Sequence, residues 1–282
     1  MTEYITNIPV EKLKSFPNHP FQVRDDDSMR ETVESIKTYG VLQPAIVRPS
    51  DDGNYEILSG HRRKRACELA GRKTIPAIVR ELDDDAAIIF MVDSNLQREN
   101  ILPSERAAAY KMKMEALKRQ AGRPLKNSPQ LAANFRADDA VAKEADVSGD
   151  TVRRYIRLTE LQPELQQMVD EKIIAFTPAV EISYLKPDEQ KMLLDTISSE
   201  QATPSLSQAQ RLKKLSQSGE LTDDSMLSIM SEQKKPERND LTIPADVLEK
   251  FFPRSFTPMK MQEVIIKLLE SWQRKRQQSR ER

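Results

Sequence analysis

Tyr55-Glu56-Ile57-Leu58-Ser59-Gly60-His61-Arg62-Arg63-Lys64-Arg65 is the stretch on which the fold of this chain turns. A short apolar strand signal runs into a glycine, and the glycine opens a helix crowded with arginine. Glycine at such a corner lets backbone amides approach a ligand, and the helix that follows aims its N-terminal amides and positive dipole at an anion. Arg62 and Arg63 fall in the first turn, where cations oppose the dipole and make poor structural choices. A phosphate held there offsets that conflict. A basic, solvated helix start fits the same residues, so this segment alone leaves both readings open.

Outward from this corner, strand and helix signals alternate between about Ile5 and Leu82. Ala45-Ile46-Val47-Arg48, a turn at Asp51-Asp52-Gly53-Asn54 and Tyr55-Glu56-Ile57-Leu58 make a hairpin. Ser28-Met29-Arg30-Glu31 reads as a capping box for a helix with Met29, Val33 and Ile36 on its apolar side, stopped by Gly40. The basic helix ends at Gly71, and Ile75 to Arg80 is a further strand whose Pro76 suggests a start at a sheet edge. Beyond Asp83 strand signals nearly vanish. Asp83-Asp84-Asp85 caps a helix with Ile88, Met91, Val92 and Asn95 towards one side. Pro103 starts another, with Ala107, Tyr110, Met114 and Leu117 on its apolar face, broken at Ala121-Gly122-Arg123-Pro124 before a polar loop to about Gln130.

Composition narrows the function classes. The 282 residues suffice for two small domains plus extensions, and 44 basic side chains cancel 44 acidic ones. The balance hides local asymmetry: Gly60 to Lys73 carries six Lys/Arg against one Glu, whereas Glu81 to Asp85 carries four acids. Binding of nucleic acid by patches therefore stays open. A single cysteine, Cys67, excludes an internal disulfide, and with only two histidines no zinc tetrad can be assembled. Cys67 reads as a small buried hydrophobe. The start, Met1-Thr2-Glu3-Tyr4-Ile5, has no leader pattern and no run reaches membrane-spanning length, so the expectation is a cytoplasmic protein without a membrane partner. Seven glycines among abundant Ala, Leu, Lys, Glu and Gln predict a mostly helical chain.

A second basic cluster has a different pattern. Ala140-Val141-Ala142-Lys143-Glu144-Ala145 is a short helix with a small-residue face, Asp146-Val147-Ser148 is a turn, and Gly149 to Leu158 is a second helix. This is helix-turn-helix spacing, with Val147, Val152 and Ile156 on the buried side. Ser148, Thr151, Arg153, Arg154 and Arg157 are then expected outward, short polar groups first and guanidinium groups later, which suits phosphate contacts and base-edge readout in a major groove of double-stranded DNA. An ordinary helical hairpin with a solvated basic face is the plainer alternative. Asp146 occupies the turn position usually taken by glycine. Further on, Pro204 to Pro236 reads as an extended linker with one or two short helices. Thr257 and Pro258 then start a helix with a stripe of Met261, Val264, Ile265, Leu268, Leu269 and Trp272, and a basic run at Arg274-Lys275-Arg276. Such a stripe has to be buried, and a homodimer through residues after Leu241 is the expected solution.

In order and over most of its length the chain resembles the ParB partition-protein family. Asn18-His19-Pro20-Phe21-Gln22-Val23-Arg24 is similar to that family's Asn-Pro…Arg segment, and Gly40-Val41-Leu42-Gln43-Pro44 to its Gly-x-x-Gln-Pro loop. Gly60-His61-Arg62-Arg63 matches Gly-Glu-Arg-Arg except at His61, and Ser94-Asn95-Leu96-Gln97-Arg98 matches Glu-Asn-x-Gln-Arg except at Ser94. The resemblance implies an α+β, ParB/sulfiredoxin-like N-terminal domain over 1–100, an all-α DNA-binding domain over 101–215 with its helix-turn-helix at about 139–158, a linker over 216–240, and a helical dimerisation module over 241–282. It implies binding of a centromere-like DNA site, binding of CTP with Mg²⁺, closure of the dimer into a sliding clamp, and a ParA-type ATPase as partner, with the protein on the nucleoid or a plasmid. It places Gly40, Gln43, Pro44, Gly60, His61, Arg62, Arg63, Ser94, Asn95, Gln97 and Arg98 at the nucleotide, with Asn95 facing metal and triphosphate. The arginines neutralise phosphate charge.

The departures bear on chemistry. His61 and Ser94 stand where the family's glutamates support hydrolysis, and neither keeps a negative charge for Mg²⁺. Slow CTP hydrolysis or none is the expectation. A transcriptional regulator that binds DNA without nucleotide turnover is the alternative from another class. A P-loop is absent, and the sulfiredoxin nucleophile is missing because Cys67 lies within the helix, six positions beyond His61.

Overall fold

The N-terminal strands assemble into one five-stranded sheet in the order β1-β5-β3-β4-β2. These are β1 (Ile5–Pro9), β2 (Leu13–Ser15), β3 (Ala45–Pro49), β4 (Tyr55–Ser59) and β5 (Thr74–Val79). The computed structural model describes residues 5–98, 101–122, 137–232, 245–248, 251–253 and 256–278. β3 and β4 form the expected antiparallel hairpin, with Gly53 at φ 75° in its turn. β5 runs parallel to β3 and antiparallel to β1. Alternation sorts the side chains by face. Ala45, Val47, Ile57, Ile75 and Ala77 pack with Met29, Val33 and Ile36 of α1 (Asp27–Tyr39) and with Ala66 and Cys67 of α2 (His61–Leu69). Leu58 points the other way, against Phe16, Phe21 and residues Ala87, Met91 and Val92 of α3 (Asp84–Leu96).

Two local expectations are corrected. The N-cap of α1 is Asp26, whose Oδ1 accepts the Met29 N–H at 2.8 Å, and Ser28 lies inside the helix. A carboxylate also complements the dipole, which a serine two residues later cannot do. β5 is an interior strand, although Pro76 suggested an edge. The ladder to β3 begins only at Ala77, so Pro76 sits where β5 has β1 alone as neighbour and its missing N–H breaks no interior pairing.

α4 (Pro103–Gly122) is the spine shared by the sheet domain and the helices beyond it. Ala107 lies in the core of the downstream helices, Ala109 in the core beneath Leu58, and Tyr110 in that of the helix-turn-helix. Lys113, fully buried, pairs with Asp93 of α3, and Arg119 Nε donates to buried Asp85 Oδ1 at 2.7 Å. Residues 1–232 therefore form one compact unit, and the expected boundary near residue 100 is a connection inside it.

α5 (Ala137–Glu144) and α6 (Gly149–Arg157) form the helix-turn-helix, with Asp146 at φ 53° in the turn. α7 (Pro163–Asp170), α8 (Phe176–Ile182), α9 (Pro187–Glu200), α10 (Leu206–Ser218) and α11 (Asp223–Met230) follow. The last two are the one or two helices expected within the linker, but they are packed and not extended. Ala209, Leu212, Met226, Ile229 and Met230 enter the same core as Leu158, Leu165 and Leu193. Ser205 and Thr222 start α10 and α11 with capping boxes, so a segment polar in composition is a pair of amphipathic helices.

Residues 233–282 form a separate unit with α12 (Ala245–Leu248) and α13 (Pro258–Gln278). Thr257 Oγ1 accepts the Lys260 N–H at 3.4 Å, a long bond at the expected cap. Leu268 and Leu269 of the apolar stripe are 63% and 58% exposed. The polar loop over 123–130, the remaining linker over 233–240 and the side chains of Arg274, Lys275 and Arg276 lie outside the described residues. Among the described residues no helix is long and apolar enough to cross a membrane.

Candidate functional site

Gly60 is a backbone requirement. Its φ is 113°, and a Cβ there stands 3.1 Å from Ala45 Cβ and 3.3 Å from Arg63 Cζ. The left-handed corner lets β4 turn into α2 directly against β3. Arg63 then reaches back, donating from Nη1 to the carbonyls of Gln43 at 2.7 Å and Pro44 at 2.6 Å. It thereby fixes the loop that leaves α1 through Gly40, itself at φ 74°. Ser28, Thr32, Ser35, Gly40, Gln43 and Arg63 line a cleft of about 360 Å³ at this place.

Arg62 lies on the neighbouring side, its Nη2 donating to Ser28 Oγ at 3.1 Å and Asp26 Oδ1 at 3.3 Å. Arg98, just past α3, has its guanidinium 5.9 Å from the centre of the Phe21 ring. The three arginines feel one another. Burial first, and then Arg98, lowers the pKa of Arg63; desolvation and then Arg62 lower that of Arg98. A cluster of guanidinium groups from two elements, beside a helix N-terminus, is stabilised by an anion of several charges.

His61 begins α2 and is 6% exposed, with neither ring nitrogen hydrogen-bonded. Its ring stacks on His19, centroids 3.7 Å apart and planes tilted by 35°. Desolvation holds both imidazoles neutral, lowering the pKa of His61 to about 3 and of His19 to about 4. Asn95 is fully buried; its Nδ2 donates to the Met91 carbonyl at 2.7 Å, and its Oδ1 has no hydrogen-bond partner. Ser94 and Gln97 face outward from the same helix end. Direct contacts thus join Arg63 to Gln43 and Pro44, and electrostatics joins it to Arg98. The Arg98 N–H donates to the Asn95 carbonyl at 3.1 Å, while among the described residues no side-chain hydrogen bond or ion pair links Ser94, Asn95 or Gln97 to the arginines. His19, Asp26 and Ser28 are members that the sequence reading did not assign. The one signal pointing to them was that His19 and His61 are the only histidines in the chain.

The donor set fits a polyphosphate better than it fits a resident metal. Among the described residues no three His, Cys, Asp or Glu side chains could hold an ion together. Asn95 Oδ1 is an unpartnered side-chain oxygen at the end of α3 that is fully enclosed.

The neutral histidines make stability depend on pH. An imidazole whose folded pKa lies below its unfolded value of about 6.5 leaves more protons on the unfolded chain. Its contribution is complete above pH 6.5 and is lost as pH falls towards 4 and 3, the folded values of His19 and His61. Between pH 7 and pH 5 the protein is expected to lose about 2–4 kcal/mol in urea unfolding. A His61→Gln variant is expected to lose about half as much over the same interval. Equal losses in both proteins contradict the assignment.

In the helix-turn-helix, Val141, Ala142 and Val152 pack on Tyr110, flanked by Val147 and Ile156. Ser148 Oγ accepts the Thr151 N–H at 3.1 Å and so caps α6. Arg153 is exposed and paired with Asp138 and Asp150. Arg154 donates to Thr177 Oγ1 at 3.1 Å and lies 5.2 Å over the Phe176 ring. The expectation that Arg157 stands outward is corrected. Its guanidinium lies 4.1 Å over Tyr184, its Nε donates to Ser183 Oγ at 3.3 Å, and a second nitrogen donates to the Ser183 carbonyl. The aromatic face and the carbonyl of the residues after α8 hold it half-buried, a partnership that helix periodicity cannot show.

Fold and site together define a mostly helical protein whose N-terminal sheet domain presents an arginine cluster at a helix N-terminus and is joined through α4 to a helix-turn-helix. Residues 1–96 match the family described as "ParB N-terminal domain". The chain is 43% identical over 105 residues to a probable chromosome-partitioning protein ParB of Pseudomonas putida, covering 37% of this chain and 36% of that protein. It is 30% identical over 186 residues to the chromosome-partitioning protein Spo0J of Thermus thermophilus, covering 66% of this chain and 62% of that one. Two crystal structures of C-terminally truncated ParB from Caulobacter crescentus are also similar. The one complexed to the centromeric parS site is 27% identical, covers 74% of this chain and 98% of that chain, and has a TM-score of 0.45. The one complexed with CTP-γ-S is 30% identical, covers 67% and 96%, and has a TM-score of 0.32. The chain carries the ParB N-terminal domain over residues 1–96 and is similar beyond it to ParB-type chromosome-partitioning proteins. It spans 36% and 62% of the length of the two curated relatives.

Proposed function

We propose that this chain is a sequence-specific DNA-binding partition protein whose hold on DNA responds to bound CTP, acting as a homodimer with a ParA-type ATPase. The observation that carries this reading is the convergence of Arg62, Arg63 and Arg98 beside the N-terminus of α2, in a unit whose α4 also supports the helix-turn-helix. A triphosphate is matched by this cluster in charge and by the Gly60 corner in access. Mg²⁺, when bound with the nucleotide, supplies further neutralisation of phosphate charge, with Asn95 as the residue that would touch it. Arg62 exchanges its bonds to Asp26 and Ser28 for phosphate oxygens, and Arg98 follows from the end of α3. Ion pairs of Asp93 with Lys113 and of Asp85 with Arg119 tie α3, which ends beside Arg98, to α4, on which α6 packs.

Hydrolysis is a lesser part of this function. The carboxylate beside Arg62, Asp26, is engaged as the cap of α1, and a neutral buried His61 stands at the corner where the family has glutamate. CTP turnover is therefore expected to be slow, and to rise on replacing His61 and Ser94 together with glutamate. The same loss of acids favours one second reading, a DNA-binding regulator indifferent to nucleotide. Calorimetry with CTP and ATP, with and without Mg²⁺ and selected DNA, separates the two. CTP binding in preference to ATP supports the partition reading, and no binding of CTP under any of these conditions favours the regulator.

The apolar stripe of α13 supports the homodimer, because Leu268 and Leu269 are largely exposed within the chain. An Ile265→Asp, Leu269→Asp variant of the full chain is expected to halve the mass seen by light scattering at micromolar concentration. A wild-type monomer under those conditions refutes this part of the proposal.

A further inference from the structure

The chain has two histidines in 282 residues, and the fold stacks them on each other at the first residue of α2. We propose that His19 and His61 form a phosphate-contacting element of this site, which meets a polyphosphate as an imidazolium and so ties anion binding to the uptake of a proton from solvent. The inference rests on the reading that the arginine cluster receives a triphosphate, and it adds to that reading His19 and the linkage of binding to a proton.

Three observations carry it. His61 is buried with both ring nitrogens lacking a hydrogen-bond partner, and His19 Nε2 is in the same condition. Buried polar atoms left unbonded cost about 1–3 kcal/mol each, so a structure that keeps three together invites an explanation by ligand. The second is the packing of His19. Its ring meets Phe21 edge-to-face, centroids 5.6 Å apart, and its buried Nε2 has no hydrogen-bond partner. The third is the surrounding charge. Arg98 from the end of α3 and Lys64 from α2 itself both act on His61, with His19 beside it. Asp25, Arg65 and Glu68 line the cleft on its other side, and there Asp25 is tied to Arg65 at 2.7 Å. Desolvation keeps the imidazoles neutral first, and Arg98 adds to it for both rings, while Lys64 is paired with Glu68 at 3.4 Å.

A polyphosphate reverses that field. Its negative charges cancel Arg62, Arg63 and Arg98, and its oxygens accept hydrogen bonds. A neutral imidazole donates from one nitrogen, whereas an imidazolium donates from both, and a donor carrying charge makes the stronger bond. The proton then does at this corner part of the work that a divalent cation does in a carboxylate-bearing site. No covalent step is involved; the proton enters from solvent and leaves with the anion.

The test uses the full chain, inorganic tripolyphosphate and CTP. With only two histidines, their ring Cε1–H resonances report protonation directly. At about pH 6.5, midway through an ordinary histidine titration, both rings are expected to be neutral in the free protein. Tripolyphosphate is expected to move at least one to the imidazolium position. Calorimetry in two buffers of different ionisation enthalpy should show proton uptake exceeding that of His61→Gln, and wild-type affinity, relative to that variant, should fall about tenfold between about pH 5.5 and 7.5. Binding of tripolyphosphate or CTP with both rings neutral, and with the same proton count as His61→Gln, overturns the proposal and leaves the nucleotide reading intact. Failure of both ligands to bind overturns both. Proton-linked tripolyphosphate binding without preference for CTP over ATP upholds the histidine assignment and removes the cytosine part of the reading.

Discussion

Arg63→Ala is expected to abolish CTP binding, lowering affinity by at least about a hundredfold, which corresponds to about 2.7 kcal/mol. The side chain has two duties. It contributes a cation to the cluster with Arg62 and Arg98, and it holds the loop after α1 by donating to the Gln43 and Pro44 carbonyls at 2.7 and 2.6 Å. Hydrogen bonds from a charged donor contribute about 1.5–3 kcal/mol each, so the variant loses both a phosphate ligand and the wall of the cleft that shapes the site. Arg63→Lys separates the duties. It retains the charge but lacks the planar guanidinium, whose Nη1 serves both carbonyls while its other nitrogens stay available, and is expected to bind about tenfold or more weakly than the parent. Calorimetry with CTP, beside a thermal melt showing each variant folded, checks the series; wild-type affinity in folded Arg63→Ala contradicts the site.

The other large effect concerns DNA. Arg153→Ala with Arg154→Ala is expected to weaken binding to a selected duplex by about 2–6 kcal/mol, and to reduce the slope of the salt dependence by about one for each phosphate that is no longer neutralised. Both side chains stand on the exposed side of α6, where phosphates can replace the exposed Asp150 beside Arg153 and Thr177 beside Arg154; Asp138, the other partner of Arg153, is largely buried. Arg157→Ala belongs to another class. Its guanidinium is committed to Tyr184 and the Ser183 carbonyl, so its loss loosens the seat of α6 and lowers stability together with affinity. Fluorescence anisotropy at several salt concentrations, with melts in parallel, distinguishes the two. Unchanged affinity in the triple variant Arg153→Ala, Arg154→Ala, Arg157→Ala removes α6 as the reading helix.

Features dictated by local chemistry were legible in the sequence. The β3–β4 hairpin followed from alternation and a turn at Gly53, the corner at Gly60 from a strand running into glycine, and the start of α3 from Asp83, whose carboxylate accepts the Ala86 N–H at 2.8 Å. Asp146 reaches the left-handed turn conformation that the helix-turn-helix spacing demanded of it. What stayed hidden depends on partners distant in sequence. Pro76 suggested an edge, and only the β3 register shows how an interior strand accommodates it. One or two short helices were expected where α10 and α11 lie, but not their packing, because composition is blind to the spacing of Ala209, Leu212, Met226 and Ile229. His19 and His61 are 42 positions apart by subtraction of their numbers, and no local pattern predicts that their rings meet. Arg157 follows the periodicity of an exposed position, yet Tyr184 and Ser183 claim it.

The central claim is that nucleotide at the Arg62–Arg63–Arg98 cluster controls the hold of the same chain on DNA. Retention on closed DNA tests it most directly: the full chain is loaded onto a covalently closed duplex carrying a selected site, then washed at high salt, with CTP, ATP or no nucleotide. Retention that requires CTP, disappears when the duplex is cut, and is absent in Arg63→Ala is the predicted result. Retention equal with and without CTP, or a wild-type response in Arg63→Ala, contradicts it.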